Sequence, residues 1–227
     1  MKKKGAGHIK AVSDSKILKY AWISGIAMAV LILLNSLVSG FVKNGAYSFV
    51  SGLLFQVFVL IFTYGFYVLG KRYESKLLKV ISILMISFVV ISYLITLAYL
   101  NPIAEKVTLI TNQLVTDANI QLEDLNSLTQ EQQESLGLAL MQNQEFLSIV
   151  WMIVGLFASY FIVWIILSIL FGVALIKLKD KVVYSKIAGI LEIVGAATLI
   201  VFGLGALVLI VAFVYELIIL YKESRKS

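Results

Sequence analysis

Long apolar runs alternate along this chain with short charged blocks, and the sign of those blocks alternates too. Six Lys lie between Lys2 and Lys19, and segments 71–79, 177–186 and 222–227 are again rich in Lys and Arg. Segment 101–147 reverses the balance, with seven carboxylates against one Lys. Cytoplasmic loops of membrane proteins retain Lys and Arg, so the basic blocks read as inside and the acidic segment as outside. With 60% hydrophobic and only 14% charged residues, lipid must take the apolar surface that a soluble protein buries in its core.

A spanning helix needs about 20 apolar residues to cross about 30 Å of hydrocarbon. Residues 20–39, 47–70, 80–100 and 148–176 each meet that requirement. Residues 187–221 decide the parity. As one helix they would reach ~52 Å, too long for a single crossing without extreme tilt. Gly203-Leu204-Gly205 offers a turn near the middle, which returns Lys222, Arg225 and Lys226 to the basic side. The expected fold is therefore all-α: a polytopic membrane bundle of six transmembrane helices, with an extramembrane helical hairpin between the third and fourth. Residues 1–19 form a basic cytoplasmic segment, 20–100 the first three spans, 101–147 the outer hairpin, 148–221 the last three spans, and 222–227 a basic cytoplasmic tail. The Lys-rich start and the small residues at Val38-Ser39-Gly40 resemble a secretory signal. Signal cores run only ~7–15 residues, however, so an uncleaved first helix is expected.

In the outer segment, Ile103, Val107, Ile110, Leu114, Ala118 and Leu122 recur at helical spacing after Pro102. Thr129 and Gln132 have the spacing of a capping box and open a second periodic run, through Leu136, Leu140, Phe146 and Ile149. Two outer helices joined near 123–129 are expected, and 103–145 is a candidate surface for a protein partner. A faint parallel repeat at an offset of 107 pairs Gly65, Lys79 and Ile83 with Gly172, Lys186 and Ile190.

Glu192 and Glu216 stand inside apolar runs, where an ionisable group is expensive and finds a partner, a cavity or a function. Each lies six residues from a flanking Lys, Lys186 or Lys222, so the hairpin sets both at one depth on adjacent antiparallel helices. Two such carboxyls in low dielectric would hold one proton between them, giving a possible proton or ion site. The competing reading has each Glu reaching the basic rim or its Lys residues. Asn35 and Gln56 are polar groups that serve helix packing across spans. Ala21, Gly25 and Ala29 on the first helix, and Gly155 with Ser159 on the fourth, form ridges of small residues that let backbones approach, within the bundle or in a homo-oligomer.

Several chemistries have no candidate residues. The chain has no Cys, and its one His, His8, lies in a Lys- and Gly-rich stretch, so thiolate, iron–sulfur and imidazole-metal sites are not expected. Phosphate-loop, zinc-protease and nucleophile-elbow motifs do not occur. The reading is of a non-enzyme with no cofactor. The net charge of +6 belongs to the inner rim and points to anionic lipid headgroups rather than nucleic acid.

Ile187-Ala188-Gly189-Ile190-Leu191, Ile193-Val194-Gly195-Ala196 and Phe213-Val214-Tyr215-Glu216 resemble a family of small archaeal multi-pass membrane proteins without an assigned activity. That resemblance covers about a third of the chain, mainly 177–221, and implies an archaeal cytoplasmic membrane. Two functions follow as expectations. One is a non-catalytic accessory, scaffold or interaction component with an outward-facing helical hairpin. The other is a small transporter or channel for protons, cations or small solutes using Glu192 and Glu216.

Overall fold

The structure, a computed structural model, describes residues 3–38, 45–117, 130–202 and 204–226. Among the described residues eight α-helices follow one another: α1 (Lys3–Val38), α2 (Gly45–Arg72), α3 (Lys76–Ile95), α4 (Asn101–Asp117), α5 (Gln130–Gln142), α6 (Gln144–Ile176), α7 (Ser185–Phe202) and α8 (Gly205–Ser224). No strand occurs among the described residues. Five stretches are long and apolar enough to cross a membrane: Ser13–Leu37, Val50–Arg72, Lys76–Thr116, Gln144–Ile176 and Gly205–Ser224. The chain divides into two compact units, residues 1–91 with 164–227, and residues 92–163.

In the first unit, α1 packs against α2 and α8, and α8 packs against α7. Phe66 on α2 meets Phe171 on α6 edge to face, with ring centroids 4.9 Å apart. The buried core gathers at the ends of the helices that carry the basic connectors. Leu18, Ala21, Phe66, Leu69, Leu175, Ile219 and Leu220 are all inaccessible or nearly so. Toward the opposite ends, Leu33 and Leu37 on α1, Val50 and Leu53 on α2, and Leu207 and Ile210 on α8 are exposed. Exposed apolar surface of that extent, on helices long enough to span a bilayer, is compatible with a membrane location.

The first helix begins well before residue 20. It runs from Lys3, so the basic N-terminal segment is helical and continuous with the apolar stretch. Its small residues face neighbours. A methyl group added at Gly65 on α2 would strike Ala21, and one added at Gly25 would fall 2.8 Å from the Phe62 ring. Ala29 is half-buried, as are Asn35 and Gln56. The repeat-matched glycines do different jobs: Gly65 admits α1 and α8, whereas Gly172 admits α7.

In the second unit, a π-helical turn at Thr96–Leu100 leads into α4. Pro102 accounts for its position, because in a regular helix the proline ring would press on the Ala98 carbonyl, four residues back. A wider turn relieves that contact. The second helix expected in this segment, α5, is shorter than the spacing implies, since Asn143 interrupts it. There the side-chain Oδ1 accepts the Phe146 N–H at 2.9 Å and caps the start of α6. Lys106 on α4 reaches Glu145 at 3.2 Å. The expected junction at 123–129 and the capping Thr129 lie outside the described residues. Gly155 is exposed and faces open space, and the Ser159 hydroxyl bonds the Gly155 carbonyl of its own helix at 2.8 Å.

Candidate functional site

Two glycine crossings bring α6, α7 and α8 together. Where α6 meets α7, Gly172 and Gly189 oppose each other so closely that a Cβ on Gly172 would sit 2.6 Å from the Gly189 carbonyl oxygen. Where α7 meets α8, a Cβ on Gly195 would sit 2.7 Å from Leu209 and 3.2 Å from the Gly205 carbonyl oxygen. Gly205 is therefore the first residue of α8, pressed onto Gly195 and Leu199, rather than an open turn residue. Gly203 lies outside the described residues.

Glu192 stands midway between Gly189 and Gly195 on α7, and the tight crossings enclose it. It is 8% exposed, and Glu216 across on α8 is 6% exposed. The two carboxyl groups lie within hydrogen-bonding reach of each other. The Ser168 hydroxyl on α6, itself buried, lies beside Glu192. Two carboxyl groups can hydrogen-bond to each other only when one of them carries a proton. Among the described residues, no Lys or Arg forms an ion pair with either carboxyl. The nearby Lys222 points elsewhere, its ammonium 4.6 Å from the centre of the Tyr184 ring.

The symmetric spacing to Lys186 and Lys222 is the sequence signal that brings Glu192 and Glu216 into one expected pair. Ser168 was not, because one hydroxyl in an apolar helix carries no signal until its partner is known. The small residues on either side of Glu192 were visible as Gly189 and Gly195, and they mark the face on which α7 meets its neighbours.

A second polar cluster lies at the basic end of the same unit. Glu223 on α8 is almost fully buried at 1% exposure. The Tyr73 hydroxyl donates to its Oε2 at 2.7 Å, and Lys226 contacts its Oε1. Arg72 donates to the Glu223 backbone carbonyl at 2.6 Å and stands 3.6 Å from Oε2. The guanidinium thus adds a side-chain donor to a helix-end carbonyl whose bond from the Lys226 N–H is long, at 3.4 Å. Arg72 also donates to Ser15 Oγ at 3.0 Å, and that hydroxyl donates to the Lys226 carbonyl at 3.0 Å. Lys181, from the connector before α7, donates to the Tyr73 carbonyl at 3.3 Å. Burial first, and then the Glu223 carboxylate, push the Tyr73 phenol up from its ordinary range. The hydrogen bond to Glu223 likewise holds the Lys226 ammonium up. The cluster thus gathers a carboxyl, a phenol, a guanidine and a lysine amine around the end of α8. Charge counting treats Glu223 as one more rim residue, but its spacing to Lys226 was a sequence signal for a helical ion pair.

No protein-family model, curated protein or solved structure matches this chain.

Proposed function

We propose that the chain is a non-catalytic multi-pass membrane protein whose working centre is the Glu192–Glu216 pair, an intramembrane site for an exchangeable proton or small cation in a small transporter or channel. One observation carries this reading: both carboxyls are buried as neighbours beside Ser168 between helices, and among the described residues neither forms an ion pair with a Lys or Arg. Isolating two acids from water without Lys or Arg partners is costly, and sites that tolerate that cost usually move or sense a proton. The topology has six spans, with α7 as the fifth. Its 18 residues make a rod of ~27 Å, short but sufficient when Lys186 sits at the rim. Both termini and the basic connectors then lie on the cytoplasmic side of a cell membrane, of archaeal type by the C-terminal resemblance. Anionic headgroups meet the basic residues, at ~1 kcal/mol for each Lys or Arg near the surface.

Reconstitution tests the reading. Liposomes containing the protein should take up protons faster than protein-free liposomes when a pH gradient is imposed. If neither protons nor Na⁺ nor K⁺ cross faster than in empty liposomes, the transport reading fails.

A second reading has its own support. The outer helices α4 and α5 present Leu109, Leu138 and Met141 to solvent, and Lys106 with Glu145 ties α4 to the start of α6. An accessory or scaffold role would use that surface to hold a partner protein. Affinity capture in mild detergent should then yield a stoichiometric partner that disappears when 103–145 is deleted. Recovery of the same proteins with and without that segment removes this reading.

A further inference from the structure

Glu216 and Glu223 are seven residues apart on α8, which sets them on one face of the helix, about 10 Å apart along its axis. Ile219 and Leu220 lie between them, and both are completely buried. Leu220 fills the groove over Gly65, its Cδ2 only 3.2 Å from where a Cβ on that glycine would be. Any route from the basic side to the carboxyl pair along this face must pass the Glu223 cluster first and the two aliphatic side chains next.

The Glu223 cluster is built as a fastening between separate parts of the unit. It joins α1 through Ser15, the end of α2 and the residue after it through Arg72 and Tyr73, the connector before α7 through Lys181, and the end of α8 and the residues after it through Glu223 and Lys226. Most of its bonds end on Glu223 or Lys226, at the end of α8 that must move aside for Ile219 and Leu220 to uncover Glu216. The partners differ in exposure. The Glu223 side chain is 1% exposed and that of Arg72 16%, whereas the Lys226 side chain is 49% exposed. A buried acceptor with one outer, water-facing cation is suited to release from the solvent side, because water and ions can compete for Lys226 without entering the core.

We propose that Glu223, Arg72, Tyr73 and Lys226 form a latch that closes the basic-side approach to the Glu192–Glu216 pair. The latch holds the end of α8 against α1 and α2 while Ile219 and Leu220 seal the passage. Opening it admits water to Glu216 from that side alone. The latch depends on the proposed role of the pair for its purpose, but its closure is measured without flux, so the two ideas fail separately.

The absence of native Cys makes the test direct. A single Ile219→Cys is placed in the otherwise unchanged chain, in Lys226→Ala and in Tyr73→Phe, and treated in membrane vesicles of both orientations with a membrane-impermeant maleimide. The unchanged latch should protect Cys at 219 from both sides. Each latch variant should raise the labelling rate at least tenfold from the basic side only, with Leu33→Cys in the opposite half labelled as before. Rapid labelling with the latch intact overturns the proposal, and so does an unchanged rate in both variants. A rise from both sides together with faster labelling at 33 means general loosening and overturns it as well. Lys226→Ala and Tyr73→Phe each leave Arg72 on Glu223, so the fold does not depend on either variant alone.

Discussion

Liposomes carrying E192Q/E216Q should take up protons no faster than protein-free liposomes, while the variant keeps its helical content and its Tm to within a few degrees. Glutamine matches glutamate in size and offers a carbonyl acceptor and two N–H donors. Ser168 can still donate to residue 192, and one amide can donate to the other across α7 and α8. Cross-helix hydrogen bonds of this kind contribute ~0.6–2 kcal/mol each in membranes, so exchanging one for another changes stability little. What the amides cannot do is accept and release a proton. A loss of flux with stability kept therefore identifies the pair as a working site, and E192A/E216A would not, because it also leaves Ser168 and the helix crossing unsupported. The alternative outcome is equally clear. Undiminished flux in E192Q/E216Q would reduce the pair to interhelical glue and leave the outer helices as the better account of this protein. E192Q alone should fall between the two, since Glu216 then keeps a neutral donor beside it.

Residues 3–38 show why the long apolar helices were readable and their bounds were not. Twenty consecutive apolar residues have few fates, and the apolar composition of α1, α2, α3 and α6 predicted four of the five long apolar stretches almost without regard to packing. The point at which α1 begins depends instead on a helix that continues through Lys10, Asp14 and Lys16 into polar surroundings, where hydropathy is silent. Asn143 is a similar case. Its role as a cap is a local hydrogen bond that an apolar period reads straight through, although Asn at a helix start is a known preference. The carboxyl pair was half legible. Spacing to Lys186 and Lys222 placed both acids at one depth, but facing is a matter of helix rotation, and Gly172, Gly189, Gly195 and Gly205 fix that rotation through contacts between distant segments. The Glu223 cluster was least legible, because its members come from α1, α2, a connector, α8 and the residues after it, and only Glu223 with Lys226 are close in sequence at one helix end.

Gly189→Leu should leave little folded protein in detergent extracts, whereas Gly155→Leu should be neutral. At Gly189 a Cβ would collide with the Gly172 carbonyl oxygen and stand 2.7 Å from Ile176 Cγ1 and 3.0 Å from the Ile176 backbone nitrogen. Two of those three obstacles are backbone atoms, so no side-chain rotation relieves them. The helices must separate. Overpacking a well-filled core costs ~1–3 kcal/mol where side chains can shift, and a backbone obstacle should exceed that range. Separation would also carry Glu192 away from Ser168, since the Glu192 Cβ lies 3.3 Å from where a Cβ on Gly172 would be. At Gly155 nothing lies within 4 Å, and replacing a helical glycine with leucine there should gain up to ~1 kcal/mol of helix propensity. Size-exclusion profiles and thermal unfolding of the two variants, side by side, measure the difference. A Gly189→Leu protein that elutes and melts like the parent would mean that α6 and α7 do not cross at these glycines, and Ser168 would then have no reason to reach Glu192.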